Sequence, residues 1–195
     1  MYTPGDKTDR QYGSIDEIRG DHVRRYLFAA GLLRGEKILD IACGCGYGSW
    51  LLHGAGNEVT SVDICQEAID YAKKHYQGPT YLCQRAEDTK GKFTAVVSFE
   101  TLEHLDRPDL LLAGLDTKVL IASVPNENLT PFDARKFSGD TYPHKRHYTP
   151  DQFTELLEEA GFTVKAMFCQ QDKYNGPVVP GTDGIFLIAY ANRLL

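Results

Sequence analysis

The sequence predicts an α/β fold in which one domain is built on a doubly wound, mostly parallel sheet. Three observations predict it. Short runs rich in Val, Ile and Leu alternate five times with stretches of helical periodicity. The run Ile38-Leu39-Asp40-Ile41-Ala42-Cys43-Gly44-Cys45-Gly46-Tyr47-Gly48 joins an apolar strand to a glycine-rich turn that opens a helix. The last two strand-like segments are linked by residues 171–183, which carry Gly176, Pro177, Pro180 and Gly181. That link is too short for a crossover helix, so these two strands should pair antiparallel.

The elements follow in order. Residues 1–13 are polar and contain Gly and Pro, which suits a flexible or lid-like arm. Ser14 and Glu17 have capping-box spacing and predict a helix running to residue 33, with a break near Gly20 or Gly31. Its inward face is expected to carry Val23, Tyr26, Leu27 and Ala30. Strands are predicted at 37–42, 58–63, 80–84, 93–99 and 117–124, with helices at 47–54, 66–76 and 106–115 between them. Thr149-Pro150-Asp151-Gln152 is a second capping box with Pro at the first helical position, and Gly161 supplies a left-handed stop. Strands at 162–170 and 184–192 complete the chain.

Composition narrows the function classes. Of the 195 residues, 42% are hydrophobic and 25% charged, which fits one globular domain over 1–195. The net charge of −6 comes with no lysine- or arginine-rich stripe, which disfavours a large duplex nucleic acid partner. No apolar run is long enough to span a bilayer, and the first residues lack a signal-peptide pattern. The expectation is a cytoplasmic protein with no membrane partner. Cys43 and Cys45 are one residue apart, without the two-residue gap of a redox or zinc pair. All five cysteines are therefore expected to be reduced, packed thiols.

The glycine turn suits a nucleotide-like ligand. Gly44 and Gly46 let the backbone turn sharply and approach a ligand closely, and the next helix offers unpaired N–H groups. Asp63 ends the second strand about 20 residues on, the distance at which Rossmann-type folds place a ribose-binding acid. An NAD(P) fingerprint needs two residues between its second and third glycines, whereas only Tyr47 separates Gly46 from Gly48. The run instead resembles motif I of the class I S-adenosylmethionine (SAM)-dependent methyltransferases, matching at Asp40, Gly44 and Gly46, with Ala42 in place of the first glycine. The resemblance extends from about residue 22 to 162. It implies a Rossmann-like sheet of order 3-2-1-4-5-7-6 with strand 7 antiparallel, here with a shortened approach to strand 5.

The resemblance also implies the cofactor, SAM, and where it sits. The turn, with Ala42, Cys43, Gly44 and Gly46, would face its methionine part, and Asp63 and Ile64 its ribose and adenine. Ala86 and Glu87 match the adenine-side segment, although Arg85 stands where relatives often have an acid. His22 and Arg25 match a helix that precedes motif I, where a cation would hold the SAM carboxylate; for Arg25 a solvated helix charge is the alternative. Tyr12, near the end of the arm in the N-terminal arm-and-helix segment 1–33, and Phe99 and Glu100 at the end of strand 4 complete the expected cofactor set.

Phe99-Glu100-Thr101-Leu102-Glu103-His104 stands where this class puts acceptor chemistry. If the stretch is helical, Glu100, Glu103 and His104 share a face. In one reading Glu100 fixes SAM or the acceptor and His104 is a general base. The other reading is a metal site. Glu-x-x-Glu-His resembles the plant-type small-RNA 2′-O-methyltransferases and the ubiquinone-pathway O-methyltransferases. In the RNA enzymes a His-Lys segment completes a divalent site, matched here by His144 and Lys145. Glu100, Glu103, His104 and His144 would suit Mn²⁺, Fe²⁺ or Zn²⁺ better than Mg²⁺. The acceptor-side loop, 125–147, mixes aromatics with polar groups and suits a sugar, nucleoside or peptide surface; His144 and His147 add two further candidate bases.

Three functions are thus expected, in order: methyl transfer from SAM to O or N of a small polar acceptor, with Glu100, His104, His144 and His147 as the catalytic candidates; metal-dependent methylation of RNA 3′ ends; and a non-catalytic SAM-binding partner or sensor.

Overall fold

The computed structural model describes residues 12–172 and 174–193. Among these residues eight strands form one sheet: β1 (Lys37–Ile41), β2 (Glu58–Asp63), β3 (Thr80–Cys83), β4 (Ala95–Phe99), β5 (Val119–Pro125), β6 (Thr163–Gln170), β7 (Val179–Pro180) and β8 (Phe186–Asn192). Among the described residues five α-helices accompany them: α1 (Gly20–Leu32), α2 (Tyr47–Gly54), α3 (Gln66–His75), α4 (Pro108–Ala113) and α5 (Pro150–Glu159). The spatial order is β3-β2-β1-β4-β5-β8-β6-β7. Strands β1 to β5 pair in parallel, whereas β8 runs antiparallel between β5 and β6. This is the predicted order, with β8 as the expected seventh strand. The addition is β7, a two-residue edge strand formed where Val179 and Pro180 pair with Cys169 and Phe168.

Alternation along each central strand divides the core in two. Ile38, Val97, Ile121 and Ile188 pack with Tyr26, Ala29 and Ala30 of α1, Leu52 of α2 and Ile69 and Ala72 of α3. Their sequence neighbours Leu39, Val96, Leu120 and Leu187 point to the other face, against Leu111 and Leu112 of α4 and Phe153 and Leu157 of α5. Parallel strands covered on both faces read as continuous apolar runs, which is why these segments were legible as strands.

The buried face of α1 differs from expectation. Tyr26 and Ala30 are inside, but Leu27 is 52% exposed, and the charged pair Asp21 and Arg25 is fully buried instead. The helix begins at Gly20, after a separate 3-10 turn at Ile15–Glu17. The five cysteines are free thiols; Cys43, Cys45 and Cys169 are buried as expected, whereas Cys83 is exposed, because β3 is the edge of the sheet. Among the described residues no helix is long and apolar enough to cross a membrane.

Candidate active site

Strand order reverses at β1, which lies between β2 and β4. In open α/β sheets the crevice beyond the carboxyl ends of such strands is the ligand site. A cavity of about 570 Å³ opens there. Ala42, Cys43 and Gly44 line it after β1, Asp63 and Ile64 at the end of β2, and Phe99 and Glu100 at the end of β4.

Backbone donors hold its walls. The Gly44 N–H, in the left-handed region at φ +54°, donates to Asp63 Oδ2 at 2.9 Å. The Cys65 N–H donates to Asp63 Oδ1, also at 2.9 Å. Asp63 is thereby fixed, and a carboxylate has further acceptor positions on each oxygen for ligand hydroxyls. Ile64 is 45% exposed at the rim, with Ala86, Glu87 and Leu105 along the same wall. An exposed aliphatic side chain beside a fixed carboxylate fits a ribose joined to an apolar-faced base.

Four expected cofactor residues do not line the cavity. Gly46, at φ +87°, faces away: a Cβ there would stand 2.5 Å from the Cβ of Ala72 and 2.9 Å from the Tyr81 ring, so it lets α3 and β3 close on the turn. Asp40 lies behind the turn, fully buried, accepting from the hydroxyls of Tyr26 at 3.0 Å and Ser49 at 2.6 Å. Burial pushes its carboxyl up to about 7, against the opposing pull of those two hydrogen bonds. Tyr12 packs edge-on against Tyr71 of α3, ring centroids 5.1 Å apart. Arg25 is 1% exposed and ion-paired below the cavity floor.

His22 does line the cavity, with Nδ1 3.0 Å from the Tyr47 hydroxyl. Burial, then the charges of Arg25 and Arg19, hold its imidazole well below the usual range, so it is neutral at pH 7 and supplies no cation. The cation on this wall is Arg19, bonded to both oxygens of Asp21. Sequence reasoning missed it because the family resemblance begins only at about residue 22.

On the acceptor side, His104, His144 and His147 all reach the cavity, together with Thr130, Phe137 and Tyr142. The 125–147 loop folds back over the site. Lys145 N–H donates to the Glu103 carbonyl at 2.8 Å, and Asn126 Nδ2 donates to the Thr182 and Gly184 carbonyls. Phe137 stacks on His144 with centroids 4.2 Å apart, and His104 meets His144 edge-on at 4.5 Å. His147 Nδ1 bonds the Thr130 carbonyl, and its Nε2 lies 3.0 Å from His144 Nδ1. A carbonyl can only accept, so His147 carries its proton on Nδ1. Burial is the main force holding the His147 imidazole below its ordinary range.

Glu100 separates from the other acceptor-side groups. Its backbone is left-handed at φ +50°, and the 3-10 turn Leu102–His104 begins only after it. The three side chains therefore do not share a helical face. Glu103, fully buried, gathers with His104 and His144, and one ligand atom from each lies within 4.8 Å of the others. Glu100 stands outside that group, so the four-residue set expected from sequence reduces to three. Two imidazoles and one carboxylate still form a donor set suited to Mn²⁺, Fe²⁺ or Zn²⁺.

A methyltransferase-domain family model matches residues 15–166, and the chain belongs to that family. It is a SAM-dependent methyltransferase of Rossmann-like class I architecture, and SAM is its cofactor. The ubiquinone biosynthesis O-methyltransferase of Coxiella burnetii is 34% identical over 72% of this chain and 69% of its own length. The mitochondrial ubiquinone biosynthesis O-methyltransferase of Schizosaccharomyces pombe is 38% identical over 77% of this chain and 63% of its own. The chain thus spans about two thirds of the length of these curated relatives. A SAM-dependent methyltransferase from Thermotoga maritima shares the fold, with a TM-score of 0.74 over 90% of each chain at 18% identity.

Proposed function

We propose that the protein methylates a hydroxyl group of a small polar biosynthetic intermediate. The observation that carries this reading is one cavity with two chemistries: Gly44, Asp63 and Ile64 at one end, and His104 and His144 at the other. Bound SAM supplies an activated methyl group on a sulfonium. Asp63 would take the ribose hydroxyls, and Ile64 and Ala86 would cover the base. The protein then has to align the acceptor and receive one proton.

His147 is bonded through both ring nitrogens. With His147 neutral, its Nε2 accepts from His144 Nδ1–H, which leaves Nε2 as the basic nitrogen of His144. His104 and His144 are therefore the better bases, and His147 orients His144. Oxygen rather than nitrogen as the acceptor is supported by relatives named as O-methyltransferases. A small acceptor is supported by charge pairing at the mouth, where Arg85 pairs with Glu87 and Lys145 with Asp106.

The grouping of Glu103, His104 and His144 favours a second reading, in which these three hold a divalent ion. Such an ion would lower the pKa of an acceptor hydroxyl bound to it. One experiment separates the readings: methyl-labelled SAM offered with catechol, sugar, nucleoside and single-stranded RNA acceptors, with and without EDTA. Label on a hydroxylated small acceptor in both arms supports the metal-free transferase. Loss in EDTA, restored by Mn²⁺ or Zn²⁺, supports the metal centre, and label confined to RNA overturns the small-acceptor reading.

A further inference from the structure

We infer that Arg25 is a positioning residue: it acts through Glu100, whose carboxylate receives the ammonium group of the donor's amino-acid end. This rests on the reading that SAM occupies the cavity described above.

Glu100 lines the cavity, with its side chain 16% exposed. It is the only non-glycine residue with a positive φ among the described residues. A left-handed backbone at such a residue persists where the surroundings over-determine it, and such positions cluster at ligand clamps. Here the surroundings are explicit. Glu100 Oε1 accepts from the Ser123 hydroxyl at 2.7 Å and pairs with Arg25 Nη1 at 2.8 Å. The Glu100 N–H donates to the Ser123 carbonyl at 3.2 Å. Arg25 Nη1 also donates to Ser123 Oγ at 3.2 Å, and Nη2 pairs with Asp21 Oδ2 at 3.0 Å. The guanidinium lies 4.4 Å from the centroid of the Phe186 ring.

Charge gives this arrangement a direction. Arg25 faces two carboxylates, Asp21 and Glu100, and balances one of them. Arg19 also pairs with Asp21, but from the rim, where its side chain is 41% exposed and screened by solvent. The buried group thus presents negative charge to the cavity through Glu100. Both bonds fall on Oε1; among the described residues Oε2 takes no hydrogen bond. An ammonium fits that oxygen better than a sulfonium does, because only the ammonium can donate to it.

The test is a double-mutant cycle read by calorimetric titration with SAM and with S-adenosylhomocysteine, on variants whose melting curves show them folded. Glu100→Gln and Arg25→Gln should each weaken SAM binding about tenfold or more. The double variant should be no weaker than Glu100→Gln alone, since Arg25 acts only through that carboxylate. Arg25→Lys should recover part of the loss, and Ser123→Ala gives a milder variant should Arg25→Gln not fold. Both ligands carry the ammonium, so equal losses for the two are expected. Losses that multiply in the double variant, or a loss confined to SAM, would overturn the assignment. Failure of the unaltered protein to bind SAM would overturn the underlying reading as well.

Discussion

Two aspartates near the carboxyl ends of adjacent strands do different work. Asp63 lines the cavity and is held by two backbone N–H groups. Asp63→Ala removes charge-assisted bonds to the ribose, and SAM affinity should fall by about 1.5–3 kcal/mol, read by calorimetry. Asp40 was legible as a motif residue, but not as a buried one. Its native carboxyl titrates at about 7, whereas in the unfolded chain it titrates near 3.9. A raised native pKa means that the native state holds the proton more tightly. The stability Asp40 contributes is therefore complete below about pH 4 and lost as pH rises through about 7. The depressed imidazoles of His22 and His147 work in the opposite direction, since the stability they contribute is complete above about pH 6.5 and is lost as pH falls below that toward their lower native values. Asp40→Asn isolates the first effect. Relative to the unaltered protein, the variant should gain stability progressively from about pH 4 to about pH 7 in urea titrations and level off above that; a constant difference across the window would contradict the assignment.

At the scale of elements, the caps of α5 stand as read, whereas the Ser14 box opens only the 3-10 turn that precedes α1. The Thr149 box caps α5 with a 3.2 Å bond from the Gln152 N–H, and Gly161 follows that helix at φ +88°. Gly48 was read only as part of the motif, and its physical reason is a contact between helices. A Cβ there would stand 2.1 Å from the ring of Tyr26, the residue that ties α1 to Asp40. Helix propensity alone favours alanine over glycine by about 1 kcal/mol. The clash should reverse that sign, so Gly48→Ala should lower stability by about 1–3 kcal/mol in urea unfolding. The 99–104 stretch went the other way. Its spacing suggested one helical face, and the left-handed Glu100 ended that periodicity before the 3-10 turn began.

At the scale of the molecule, the site is assembled from the ends of β1, β2 and β4 and from a loop that returns from beyond β5. A ligand that binds only this assembled state stabilises it by mass action. SAM at 100 times its dissociation constant should add about 2.7 kcal/mol. For a domain of this size that corresponds to a rise in melting temperature of about 5–10 °C. A further rise on adding Mn²⁺ or Zn²⁺ after EDTA treatment, absent in Glu103→Gln, would support an ion at Glu103, His104 and His144, and no rise in the unaltered protein would leave the metal-free transferase. Cohesion at this scale also depends on a residue that local patterns pass over. Arg193 donates to the carbonyls of Leu112, Leu115 and Ala160, joining the ends of α4 and α5 while its guanidinium covers Phe162.

The order of the sheet came with the family resemblance; the sequence by itself determined the strands, the antiparallel pairing of the last two, the glycine turn and Asp63. These depend on local periodicity and on backbone conformations that few residue types can adopt. The tertiary structure decided which charges are inside. Arg25 looked like a cofactor anchor or a solvated helix charge, and it is buried because Glu100 and Ser123, distant in sequence, meet its guanidinium. It also decided that Glu103 stays with His104 and His144 while Glu100 leaves them. A buried charge is stable only where partners converge on it, and that convergence has no periodic trace along the chain.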